Sequence, residues 1–148
     1  MMDLADLYRD VIVDHNRNPR NRGRLPQPSH SAEGNNPLCG DQLRVTLEVS
    51  DGVLRDIRCE GRGCAISTAS ASLMSEAVKG HSLAEVAGLF GQVHQMLTSH
   101  DAVPGPDLGK LAALSGVREF PARVKCASLC WHTLNAALAG DAAPVSTE

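Results

Sequence analysis

Cys39-Gly40-Asp41 places a thiol and a carboxylate two residues apart. In an extended segment, side chains at i and i+2 point to the same side, so one cation can be reached by both. Gly40 between them leaves the backbone free to bend around it. Cys64 follows the turn Gly61-Arg62-Gly63 and opens a stretch with helical spacing. A helix N-terminus favours the thiolate, which is the form of cysteine that binds metals and attacks sulfur. Cys126 falls in the first turns of a final predicted helix. Thiolates at Cys39, Cys64 and Cys126 with the Asp41 carboxylate would complete a tetrahedral zinc site. Spacing alone fits small buried cysteines equally well.

The remaining thiols read differently. Cys59 shares a strand phase with Val53 and Ile57 and is expected in the core. Cys130 lies one turn beyond Cys126 on the same helical face, so it is either a core thiol or an extra ligand or resolving thiol. The six histidines share no ligand spacing and are expected mostly at the surface. Arg17, Arg20, Arg22 and Arg24 have no interleaved aromatic residues on which bases could stack, so they read as a solvated loop or a protein-docking patch.

Bulk properties narrow the setting. The 148 residues suit one compact domain over 1–148, with 140–148 expected as a frayed tail. A net charge of −3 argues against a general nucleic-acid binder. No apolar run approaches the roughly 20 residues that span a bilayer. The opening Met1-Met2-Asp3-Leu4 has no basic region followed by an apolar stretch. A reducing, cytoplasmic setting is therefore expected. There, five cysteines read as metal ligands or reactive thiols rather than disulfides.

The elements that must position these residues follow from periodicity. Leu4, Leu7, Tyr8, Val11 and Ile12 predict an opening amphipathic helix. The stretch from Leu25 to Pro37 is rich in Pro, Ser, Asn and Gly, with room for one short edge strand. Leu43, Val45, Leu47 and Val49 alternate with polar residues and predict a strand, paired through a hairpin with a second from Val53 to about Glu60. A two-residue loop would set Leu47 against Asp56, so a three-residue loop, Ser50-Asp51-Gly52, is expected to pair Val45 with Ile57 and Leu43 with Cys59. A helix from about Cys64 to Lys79 stops at Gly80. Ser82 and Glu85 form a capping-box pattern for the next helix. A loop over 99–109, a short helix around Leu108 to Leu114 and a last helix after Pro121 complete the chain. The class is α+β: a small antiparallel sheet of about three strands packed against several helices.

The segments around the cysteines are more specific than their spacing. Asn35-Asn36-Pro37-Leu38-Cys39-Gly40-Asp41, Glu60-Gly61-Arg62-Gly63-Cys64-Ala65-Ile66-Ser67 and Arg123-Val124-Lys125-Cys126-Ala127-Ser128-Leu129 resemble the IscU/NifU-N superfamily of iron–sulfur cluster assembly proteins. Leu7-Tyr8 through His15, Asn18-Pro19-Arg20-Asn21 and Ala69-Ser70-Ala71-Ser72 extend the match to about residues 4–138. The SufU-type branch fits best. Lys125 stands where IscU-type proteins have His before the last cysteine, and the segment around residues 92–118 matches the longer insertion of that branch.

The resemblance implies Zn2+ held by Cys39, Asp41, Cys64 and Cys126, with Cys39 as persulfide acceptor. It implies a pyridoxal-phosphate cysteine desulfurase of the SufS type as sulfur donor and a downstream Suf scaffold as recipient. The activity would be that of a zinc-dependent sulfurtransferase. The alternative is a scaffold that assembles iron into a [2Fe–2S] cluster on the same ligands. A purely structural zinc module fits less well, because closed structural sites are built from Cys and His. Arg123 lies three positions before Cys126, nearly on the same helical face, and with Lys125 is expected behind the ligands or facing a partner.

Overall fold

A computed structural model describes residues 4–99, 106–140 and 144–146. Helix α1 (Leu4–Arg17) is followed by strands β1 (His30–Asn36), β2 (Asp41–Ser50) and β3 (Val53–Arg62). Helices α2 (Ala65–Val78) and α3 (Leu83–Thr98), a 3-10 segment (Pro106–Glu119), helix α4 (Pro121–Ala139) and the short strand β4 (Val145–Ser146) follow. Among the described residues the strands form one mixed sheet in the order β3-β2-β1-β4. The expected antiparallel three-stranded sheet is thus extended by a fourth strand. Val145 and Ser146, in the segment expected as a tail, run parallel to Gly34 and Asn35. Most of the expected 99–109 loop lies outside the described residues.

Strand β1 is not an edge strand, since it lies between β2 and β4. Its inward residues Ala32, Gly34 and Asn36 are small or polar, and all three are buried. That periodicity of two carries almost no hydrophobic signal, which explains why the strand is hard to place from sequence.

The hairpin between β2 and β3 departs from the expected register. Ser50 pairs with Val53 across a two-residue turn. Asp51 and Gly52 both hold positive φ, 54° and 73°, as a type I′ turn requires. The clash of Leu47 with Asp56 is avoided by a bulge. Arg55 is passed over, so that Glu48 pairs with Asp56, Leu47 with Ile57 and Val45 with Cys59. Leu54 and Ile57, three apart, are consequently both buried, while Val53 is only half-buried.

The helices cover one face of this sheet. Helix α4 packs on β1 and β2, and α2 packs between α1 and α4. Val45, Leu47, Leu54 and Ile57 join Met74, Leu114, Trp131 and Leu134 in one core. Residues 18–23 run along the free edge of β3, where Cys59 exchanges backbone hydrogen bonds with Asn21 and Gly23. The same segment is tied to α2. Arg20 N–H donates to Ser72 Oγ (2.8 Å) and Asn21 Nδ2 to Ser75 Oγ (3.0 Å).

The arginines of this segment are engaged rather than merely solvated. Arg20 pairs with Asp14, Arg24 with Glu60, and Arg22 donates to the Gly61 carbonyl. His15 is also buried, against the surface expectation, with Nδ1 2.7 Å from Ser72 Oγ. Among the described residues, no helix is long and apolar enough to cross a membrane.

Candidate metal centre

Three elements converge on one spot. The β1–β2 turn carries Cys39 and delivers Asp41 as the first residue of β2. The end of β3 leads through Gly63 to Cys64, the N-cap of α2. The second turn of α4 presents Cys126.

The ligand atoms of Cys39, Asp41 and Cys126 all lie within 4.8 Å of one another. The two sulfurs are 3.2 Å apart. Cys39 is exposed, whereas Asp41 and Cys126 are each 1% exposed.

Cys64 stands beside this trio rather than within it. Its backbone N–H donates to Asp41 Oδ1 at 2.8 Å, and its sulfur accepts from Ser67 N–H at 3.4 Å, capping α2. A Cβ on Gly63 would come 2.5 Å from Asp41 Oδ1, so only glycine lets the carboxylate sit this close to the start of α2.

Burial pushes the Cys126 thiol well above the ordinary cysteine value, and the neighbouring Cys39, Cys64 and Asp41 side chains push it the same way. The buried Asp41 carboxylate forms no ion pair with a described Lys, Arg or His side chain. A buried carboxylate among thiols needs compensating positive charge. A divalent cation with a preference for sulfur and oxygen donors fits this set.

Asn36, which sequence reasoning did not single out, is fully buried at the end of β1. Its Nδ2 lies 3.4 Å from Asp41 Oδ2 and 3.5 Å from Cys126 Sγ. The signal was its place as the third inward residue after Ala32 and Gly34.

The other expected residues make contacts of their own. The exposed Arg123 sets its guanidinium 5.5 Å from the Phe120 ring centroid. Lys125 is half-buried, and its carbonyl accepts from Ser128 Oγ. Cys130 belongs to the core, where it shares a 3.4 Å hydrogen bond with Ser70 Oγ. Burial pushes its thiol up to about 12. Cys59 is likewise a core thiol raised by burial.

The NifU-like N terminal domain matches residues 7–127. The chain is 42% identical over 137 residues to the zinc-dependent sulfurtransferase SufU of Bacillus subtilis, covering 93% of this chain and 92% of that protein. It is 36% identical to the iron–sulfur cluster assembly scaffold protein IscU of Streptococcus pyogenes, covering 91% of this chain and 84% of that one. The crystal structure of a nitrogen-fixing NifU-like protein (N-terminal) from Brucella abortus superposes with a TM-score of 0.83 at 25% identity, over 93% of this chain and 96% of that chain.

Proposed function

Since the chain belongs to the NifU-like N terminal domain family, we propose that it is a zinc-dependent sulfurtransferase of cytoplasmic iron–sulfur cluster assembly. It takes persulfide sulfur from a pyridoxal-phosphate cysteine desulfurase and passes it to an assembly scaffold. The observation that carries this reading is an exposed Cys39 set against a buried Asp41 and a buried Cys126. One thiol can meet a partner while the other donors stay enclosed.

Cys39, Asp41, Cys64 and Cys126 hold the zinc in this reading. Bound zinc keeps thiolates deprotonated and is redox-inert, so it does not itself oxidise them. Cys39 is the thiolate that reacts. It follows an exposed Leu38 and precedes Gly40 at φ 71°. Its sulfur attacks the outer sulfur of the desulfurase persulfide. The S–S bond of the donor breaks, its electron pair stays on the donor cysteine, and Cys39 gains the outer sulfur to become a Cys39 persulfide. Asp41 and Cys126, buried and cross-linked by hydrogen bonds, remain in place while Cys39 turns outward.

The test is cysteine turnover by the host desulfurase, under reductant, with and without the zinc-loaded protein. Strong acceleration that is lost in Cys39→Ser supports the reading. No acceleration, together with a coloured cluster formed from iron and sulfide, would replace it with the scaffold reading that the IscU relative represents.

A further inference from the structure

Asn36 touches every member of the trio. Its carbonyl accepts the Cys39 backbone N–H at 3.2 Å. Its side-chain amide reaches Asp41 Oδ2 at 3.4 Å and Cys126 Sγ at 3.5 Å. It is also the ladder partner of Asp41 across β1 and β2. The amide orientation follows from its neighbours: a carboxylate oxygen and a cysteine sulfur both accept, so the NH2 group must face them. Among the described residues the amide oxygen has no hydrogen-bond partner, and it is buried. Leaving a buried polar atom unpaired carries a cost, which is sustained only if the other end of the group is needed.

We propose that Asn36 is a positioning residue that makes the two sulfurs of the trio unequal. This rests on the sulfurtransferase reading for its purpose, though not for its geometry. An N–H···S hydrogen bond draws electron density from a thiolate and fixes its direction, as groups behind metal ligands generally do. Cys126 receives that bond; Cys39 is held by Asn36 only through its backbone, so the exposed Cys39 sulfur takes no hydrogen bond from the amide. Asn36 therefore selects Cys39 as the sulfur that leaves and attacks, and Cys126 as the sulfur that stays. An aspartate here would add a second carboxylate beside Asp41. A leucine would leave Asp41 and Cys126 without the donor.

The test compares wild type with Asn36→Ala and Asn36→Asp, each checked for native helix content by circular dichroism. Zinc affinity is measured by chelator competition. The labelling rates of Cys39 and Cys126 with iodoacetamide are measured by peptide mass spectrometry, on both zinc-loaded and metal-free reduced protein. The variants are expected to bind zinc about 10- to 100-fold more weakly. The preference for labelling Cys39 over Cys126 should shrink in both states. A merely structural role would lower stability without altering that preference. If Asn36→Ala does not fold, the isosteric Asn36→Asp decides by the same readouts. Unchanged zinc affinity and an unchanged labelling ratio in a folded variant would overturn the proposal. A wild-type protein that accepts no sulfur would instead overturn the sulfurtransferase reading, and the labelling ratio in metal-free protein would still judge Asn36.

Discussion

The backbone N–H of Cys64 donates to Asp41 Oδ1 at 2.8 Å, so the first residue of β2 and the cap of α2 are fastened together. Asp41 is thus committed on one oxygen to the fold, and its other oxygen faces Asn36. Asp41→Ala removes both and leaves the Cys64 N–H without its partner. Zinc affinity, read by chelator competition, should fall by at least about tenfold, the scale seen when even a supporting group is lost. An unchanged affinity would remove Asp41 from the ligand set.

Gly63→Ala tests the same corner without deleting a donor. The added methyl would lie 2.5 Å from Asp41 Oδ1, closer than real contacts allow. The carboxylate must shift, and a displacement of that kind disturbs a fixed coordination geometry. The expected result is weaker zinc binding with all four proposed ligands intact. Equal affinity would mean that Asp41 is free to move without consequence.

Thiol reactivity should follow burial. Cys39 is exposed, while Cys59 and Cys130 are buried core thiols whose acidity is suppressed by desolvation. In folded, metal-free protein at neutral pH, iodoacetamide should label Cys39 first and leave Cys59 and Cys130 unmodified until the chain unfolds. Early labelling of Cys130 would revive its role as a second reactive thiol.

Stability should weaken on mild acidification. His15 and His132 are both held below their ordinary value of 6.5, chiefly by burial. His15 faces Ser72 and Glu76, with Arg20, Asp14 and Lys110 nearby, and His132 faces His94. As pH falls through 6.5 the unfolded chain binds these protons first. Folded stability is therefore full above that value and declines below it, toward the depressed folded values. Each histidine contributes a slope of at most about 1.4 kcal/mol per pH unit. The depressed carboxyls of Asp14, Asp56 and Glu85 act lower, below their ordinary 3.8, 3.8 and 4.5. Urea unfolding followed by Trp131, the single tryptophan and a buried one, should show lower stability at pH 5.5 than at 7.5. Replacing His15 with Gln should flatten part of that difference.

What could be read in advance was whatever rests on local chemistry. The alternation of Leu43, Val45 and Leu47, the Ser82–Glu85 capping box and the stop at Gly80 are local signals, and the structure contains each. Three of the four residues read as donors, Cys39, Asp41 and Cys126, come together as one trio, with Cys64 beside it. What was hidden depends on partners distant in the chain. His15 reads as a polar helix residue until Ser72, 57 positions away, supplies its hydrogen bond. Asn36 reads as part of a turn until β1 pairs with β2 and turns its amide toward Cys126, 90 positions away. The hairpin register is not legible locally because a bulge lies in the pairing of two strands, and Leu54 breaking the alternation is its one trace.

That bulge makes the chain unequally tolerant of changes in length. Arg55 is spare to the ladder, with Leu54 and Asp56 already paired on either side. A variant lacking it keeps Val49 against Leu54 and Leu47 against Ile57, and simply straightens β3. Losing one residue between Ile57 and Gly63 is a different event. Every later side chain then changes face, and Cys64 arrives at Asp41 out of phase. Insertions and deletions should therefore be accepted at the tip of this hairpin and rejected at its base, where the strand acts as a ruler for the thiol beyond it.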